Sequence, residues 1–351
     1  MLLIAGSIAL SSACGGGSSG GGDSTSETPQ SQPEPEPEQE PEPEPETPAT
    51  SRITRVDHDL DNDGTVDGVE SVSYDSNGNL ASIHYVYTGD SSADRTDGVS
   101  RLLFEDSERR LSYAYDSSGQ LVQEVDERPG TSGGVARIVL DLQWDSDGLV
   151  SGNVWEYFNG DGALLSRNTA SVSYQGSLVS GWTDSQESVA PLAGASTGEG
   201  RVSYDSNQQP TGMSYENSSS TFSKALTWSQ GRTERVITTT PSATEQMDYR
   251  FSADGQRLVE RTITRDGNTE RYDFLYDNDT RLTEVRIDRD NDGEVDIVQR
   301  ATWEDGACRD ALLWAGLAVE VPMLTSAASP YVNGTGYTLI DYCQSNGHLR
   351  D

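Results

Sequence analysis

Residues 74–80 read YDSNGNL, and residues 115–121 read YDSSGQL. Around them the chain keeps returning to one phrase: an alternating run ending in an aromatic, an acidic turn with Gly, then Leu. Further copies start at Trp144 (WDSDGLV) and Phe251 (FSADGQRL), with looser ones at Tyr174, Tyr204, Tyr276 and Trp303. Asp or Asn opens such a turn by bonding its own backbone, and Gly supplies the positive φ that closes a hairpin. The flanks alternate as half-buried strands do. Ile138, Leu140, Leu142 and Trp144 oppose Val139, Asp141 and Gln143. Met247, Tyr249 and Phe251 alternate with Asp248 and Arg250, and Tyr272, Phe274 and Tyr276 with Asp273 and Leu275. Period two with a polar second face predicts an antiparallel sheet wet on one side. The apolar stripes must meet one another, so an all-β fold is expected, its hairpins curled into a roll or barrel-like shell.

Several copies stand 23 to 30 residues apart, the spacing of repeated supersecondary units. The phrases resemble YD (RHS-type) repeats, whose units carry a YDxxGxL turn, over roughly residues 70–306. That resemblance implies β architecture and lends little to function. Residues 51–306 are therefore read as the hairpin domain. Residues 307–351 lose the phrase and are expected to cap its last unit, as repeat arrays require.

The ends speak of location. Leu2 to Leu10 are apolar, and Ser11-Ser12-Ala13-Cys14 with GGGSSGGG follow. This resembles a bacterial lipoprotein signal, which implies a signal peptide over residues 1–13 and a lipid on Cys14. By the same resemblance, Gly15 after the Cys suits an outer membrane. The alternative is ordinary secretory cleavage after Ala13. Residues 14–50 continue as a Gly/Ser and then Pro/Glu tether. Pro29 to Pro48 in an extended polyproline conformation, at ~3.1 Å per residue, would span about 60 Å. Setting Cys14 aside leaves Cys308 and Cys343, an even pair that an oxidising compartment would bridge; two separately buried thiols is the other reading.

Two segments stand apart: DLDNDGTVDGVE from Asp59 and DRDNDGEVDIVQ from Asp288. Both spell DxDxDGxxD. Calcium needs six to eight hard oxygens, and carboxylates at alternate positions of a tight loop converge on one point. Gly64 and Gly293 permit the sharp turn beneath an ion. The first loop also meets the EF-hand pattern, with Glu70 twelfth, where the second loop has Gln299. Because strands rather than helices are expected to follow, the loops look more like the hairpin loops of integrin-type FG-GAP repeats. That resemblance implies ligands Asp59, Asp61, Asp63, Asp67 and the Thr65 carbonyl, then Asp288, Asp290, Asp292, Asp296 and the Glu294 carbonyl. A third stretch around Asp97-Gly98 has Ala93 and Arg95 at ligand places and reads as a copy without metal.

Of 351 residues, 58 are Asp or Glu against 24 Lys or Arg, a net charge of −34. No cationic surplus exists for nucleic acid. Beyond the first dozen residues, no apolar run approaches the roughly 18 of a helical membrane span. The three histidines are scattered, and Gly130-Thr131-Ser132-Gly133-Gly134 matches GxSxG without the strand-to-helix elbow that motif needs. The expectation is a non-enzymatic, envelope-anchored calcium protein with a binding or structural role toward a polysaccharide or an envelope protein. The alternative is a carbohydrate-active enzyme or carbohydrate-binding accessory domain. Placement of the tryptophans separates the two: inward burial favours the first, and exposure in a cleft beside paired acids the second.

Overall fold

The computed structural model describes residues 50–87, 108–129, 135–189, 194–218, 220–253, 255, 257–278, 281–306 and 343–345. The chain divides into Met1–Glu46, wholly outside these residues, and Thr47–Asp351, which holds the sheet. The expected signal peptide, Cys14, the spacer, the Asp97-Gly98 stretch, Cys308 and nearly all of the cap lie outside the described residues.

Nineteen strands follow in order: β1 (Thr50–Asp59), β2 (Gly68–Tyr74), β3 (Leu80–Tyr87), β4 (Glu108–Tyr115), β5 (Leu121–Glu127), β6 (Arg137–Trp144), β7 (Val150–Phe158), β8 (Leu164–Gln175), β9 (Leu178–Ser188), β10 (Gly194–Tyr204), β11 (Pro210–Asn217), β12 (Thr221–Ser229), β13 (Arg232–Thr239), β14 (Thr244–Phe251), β15 (Leu258–Arg265), β16 (Asn268–Tyr276), β17 (Leu282–Asp288), β18 (Ile297–Asp305) and β19 (Cys343–Ser345). From β1 to β18 each strand pairs antiparallel with the next. β18 then returns to β1, from Ser51↔Asp305 to Asp59↔Val298, and closes the sheet into a barrel. Closure removes the free edges that an open meander would expose. β19 adds three residues along β1, Arg52↔Cys343 to Thr50↔Ser345.

The alternation read from sequence is the inside and outside of this barrel. Inward residues form two apolar clusters. One gathers Ile53, Val56, Tyr85, Tyr272, Phe274, Ile287 and Ile297; the other gathers Leu140, Leu142, Trp155, Tyr157, Trp182 and Met213. The outward face carries cross-strand ion pairs such as Arg250–Glu260 and Arg167–Glu156, and register-matched hydroxyls at Thr169, Ser185 and Thr197. A barrel that crosses a bilayer is built the other way out, with an apolar band facing lipid. The outer wall of this one is made for water.

One rim is uniform. In four copies of the repeated phrase the Asp side chain caps its own turn: Asp75 Oδ1 accepts from the N–H groups of Asn77 and Asn79, both at 2.8 Å, and Asp116, Asp145 and Asp205 do the same. Gly78, Gly119 and Gly148 take the positive φ that follows; Gln208 takes it without being glycine. At this rim a register shift falls at Tyr74, Tyr115, Trp144, Tyr174, Tyr204, Trp228, Phe251 and Tyr276. Bulges bend the strand and aim the ring inward.

Those rings are clips. The Tyr115 hydroxyl donates to the Leu80 carbonyl, Trp144 Nε1–H to Leu121, Tyr174 to Val150, Tyr204 to Val179, Trp228 to Pro210, Tyr276 to Leu258, Trp303 to Leu282 and Tyr74 to Ile53. Each bond runs from the end of an even strand to the start of the odd strand before it. At this rim the tight turns join β2 to β3 and β4 to β5, whereas β1–β2 and β3–β4 are joined only at the far rim. The aromatics fasten the pairs that the chain leaves open. Phe251 has no donor, and there the Arg232 guanidinium lies 5.3 Å from the ring centroid instead. Tyr174→Phe keeps the ring and loses the bond, so it should cost about 1 kcal/mol in chemical denaturation with no change in strand content.

Of the five tryptophans expected to discriminate between the readings, Trp144, Trp155, Trp182 and Trp303 pack into the two apolar clusters, with Trp155 buried and Trp182 fully so, while half-buried Trp228 is held by its bond to the Pro210 carbonyl. The interior also holds charge. Asp126 lies between Arg109 and Arg128, with oxygen–nitrogen distances of 2.9 and 2.8 Å.

Candidate metal centre

Both DxDxDG segments emerge at the rim opposite the clips, between β1 and β2 and between β17 and β18. Their folds match residue by residue. Asp67 N–H donates to the His58 carbonyl and Asp296 N–H to that of Ile287, each at 2.8 Å, closing equivalent loops. Asn62 and Asn291 take φ of 54° and 57°, and Gly64 and Gly293 φ of 90° and 96°. Backbone donors hold the carboxylates in place. Leu60 N–H bonds Asp67 Oδ2 (2.8 Å), Gly64 N–H bonds Asp59 Oδ2 (3.1 Å) and Thr65 N–H bonds Asp63 Oδ1 (2.7 Å). In the second loop Arg289 bonds Asp296 (2.7 Å), Gly293 bonds Asp288 (2.9 Å) and Glu294 bonds Asp292 (2.8 Å).

The result is two convergent triads. One oxygen each from Asp59, Asp61 and Asp67 lie within 4.8 Å of one another, and so do those of Asp288, Asp290 and Asp296. Asp63 and Asp292 stay with the turn, each accepting the N–H two residues on. Thr65 and Glu294 occupy the same step of their loops. Glu70, the twelfth-position candidate, is placed elsewhere: it faces inward from β2, its Oε1 3.3 Å from His58 Nε2. Gln299, its counterpart, approaches the same ring from β18, with Nε2 3.2 Å from His58 Nδ1. The twelfth positions thus meet on a buried histidine rather than over the loops.

The donor set suits a hard cation. Asp67 has its acidity weakened chiefly by burial, and further by Asp61, Asp59 and Asp63, against the Leu60 N–H that favours its charge. Asp59 is fully buried, and its Oδ1 meets no hydrogen-bond donor among the described residues. Oδ2 of the same group is supplied by Gly64 and lies 3.4 Å from Arg300. A buried carboxylate oxygen left without a partner costs on the order of 1–3 kcal/mol, and a cation between the three carboxylates would satisfy it.

Sequence spacing found both loops and most of their acids. It could not find that they touch: Asn62 Nδ2 donates to the Val295 carbonyl at 2.9 Å, because closure sets β17, β18, β1 and β2 side by side.

No protein-family model and no curated relative matches the chain. Among solved structures, it is similar to a porin-like protein from Bacteroides uniformis at 10% identity and a TM-score of 0.38, covering 72% of this chain and 96% of that one. A porin-like protein from Bacteroides vulgatus follows at 8% and 0.35, covering 72% and 98%. The TcdB2-TccC3-TEV structure matches at 12% and 0.20, over 65% of this chain and 16% of that one. Likeness at this level carries no argument about function or location.

Proposed function

We propose that this is an envelope-anchored, calcium-binding β-barrel lipoprotein with a non-catalytic binding or structural role. The observation that carries the calcium reading is the buried, unpartnered Oδ1 of Asp59 within a three-carboxylate cluster. The second loop repeats the cluster in the same fold. Asp59, Asp61 and Asp67, with Asp288, Asp290 and Asp296, would hold the ions, and further oxygens from Asp63, Thr65, Asp292 and Glu294 are the expected completion. The Ser11–Cys14 motif supports the anchor, and the water-facing outer wall supports a tethered domain rather than a lipid-embedded one. The inward tryptophans support a structural use of aromatic rings over a sugar-stacking platform. A polysaccharide or another envelope protein remains the proposed partner class.

Calorimetric titration tests the metal. Calcium should bind with a stoichiometry of two, falling to one in Asp61→Ala and in Asp290→Ala; sub-stoichiometric heats equal to those of magnesium would end the reading. Cys14→Ser should move the protein from the membrane fraction to the soluble one.

A further inference from the structure

Every neighbouring pair from β1–β2 to β17–β18 is consecutive in the chain. β1 and β18 meet only when the ring closes, so this seam pays the loop-closure entropy of the whole domain with no local turn to help it. Both acidic loops sit at one end of that seam. Asp59 is the last residue of β1 and pairs with Val298 near the start of β18, while Asp288 ends β17 and Ile297 opens β18 on the far side of the second loop. Three contacts cross the seam there: Asn62 to the Val295 carbonyl, His58 to Gln299, and Arg300 to Asp59.

We propose that the two loops form a linked pair of calcium sites that clasps the barrel's seam. This rests on the calcium reading above and adds a regulatory consequence to it. Asp59 contributes its oxygen from the seam strand itself, so an ion bound there requires β1 to hold its closed position. The second loop is tied to the first through Asn62 and Val295. Two ions that both favour the closed state raise each other's affinity, since each shifts the same two-state element. Open barrels bind calcium weakly; filled loops keep the seam shut.

The experiment uses the full chain in detergent, with hydrogen exchange followed in CaCl₂ and in NaCl of equal ionic strength. Calcium should slow exchange of the β1 and β18 amides about tenfold more than that of β12 and β13. In parallel titrations, Asp290→Ala should weaken calcium binding at the first loop about five- to tenfold. Asn62→Gly keeps every carboxylate and tolerates the positive φ, and it should still bind two ions with that linkage lost. Two ions bound with uniform protection around the barrel would overturn the clasp and leave the calcium reading standing. So would an unchanged first-loop affinity in Asp290→Ala. Absence of calcium-specific binding in the wild type would overturn both.

Discussion

In calcium at about 100 times Kd, the domain should melt several degrees higher than in NaCl of matched ionic strength. Linkage gives ~2.7 kcal/mol per site at that ratio, and two sites make this the largest single effect expected here. Extracellular sites of this kind bind in the range of ~10⁻⁴–10⁻³ M, so tens of millimolar calcium suffices. The physical source is the clustered charge: metal-free loops hold three carboxylates within 4.8 Å of one another, and unfolding relieves that repulsion. A chain of net charge −34 will also respond to any salt, which is why NaCl and MgCl₂ are the controls. Magnesium demands a tighter octahedral shell and should stabilise less. Asp61→Ala with Asp290→Ala should remove the calcium-specific part and leave the general salt effect. Equal melting temperatures in calcium and NaCl would reduce the loops to acidic turns.

Asp126→Ala should destabilise the barrel by about 3–5 kcal/mol, because it removes the carboxylate that bridges the half-buried guanidiniums of Arg109 and Arg128. Urea denaturation measures it, and a loss below 1 kcal/mol would show that water reaches the pair. Burial raises the Asp126 pKa, but Arg109 and then Arg128 outweigh it, and the net direction is down. Its contribution is therefore complete above the unfolded pKa of ~4 and lost as pH falls below that. Glu124, one inward step away on β5, goes the other way. Burial first, and the Asp126 charge next, push it up to about 7, against the pull of Arg109. A raised folded pKa stabilises fully below the unfolded value of ~4.3 and loses that stability as pH rises through 7. Between pH 5 and 8 the wild type should thus lose about 2 kcal/mol, discounted for the partial exposure of Glu124, and Glu124→Gln should flatten the slope.

Much of the architecture was legible in the alternation. Tyr272, Phe274, Met247, Tyr249 and Phe251 pack on the side the pattern assigned, because a period of two leaves little choice of face. Both carboxylate triads were legible as well, since their spacing is local. What sequence could not reveal depends on closure. Nothing near Asn62 announces Val295, and nothing near His58 announces Gln299. The interior ion group hid for another reason. Glu124 and Asp126 look like wet-face residues in LVQEVDE, and only the bulge beside Tyr115 sets their side chains inward beside Tyr113 and Leu111. Glu70 shows the limit of motif reading: a twelfth position is a ligand only where a helix turns it back over the loop, and a strand sends it to His58.

The aromatic clips have a consequence for how such a molecule can vary. Each ties together a unit that is already contiguous, such as Leu80 to Tyr115 or Pro210 to Trp228. A unit so fastened is a stave, complete before it meets its neighbours, and staves can be added to or dropped from a cask without recutting the rest. The circumference is then set by how many are present. The crossings at the far rim are equally free in length, from residues 266–267 between β15 and β16 to residues 88–107 between β3 and β4. The first and last staves are constrained differently, because they alone must meet with no connecting turn between them, and both carry the acidic loops.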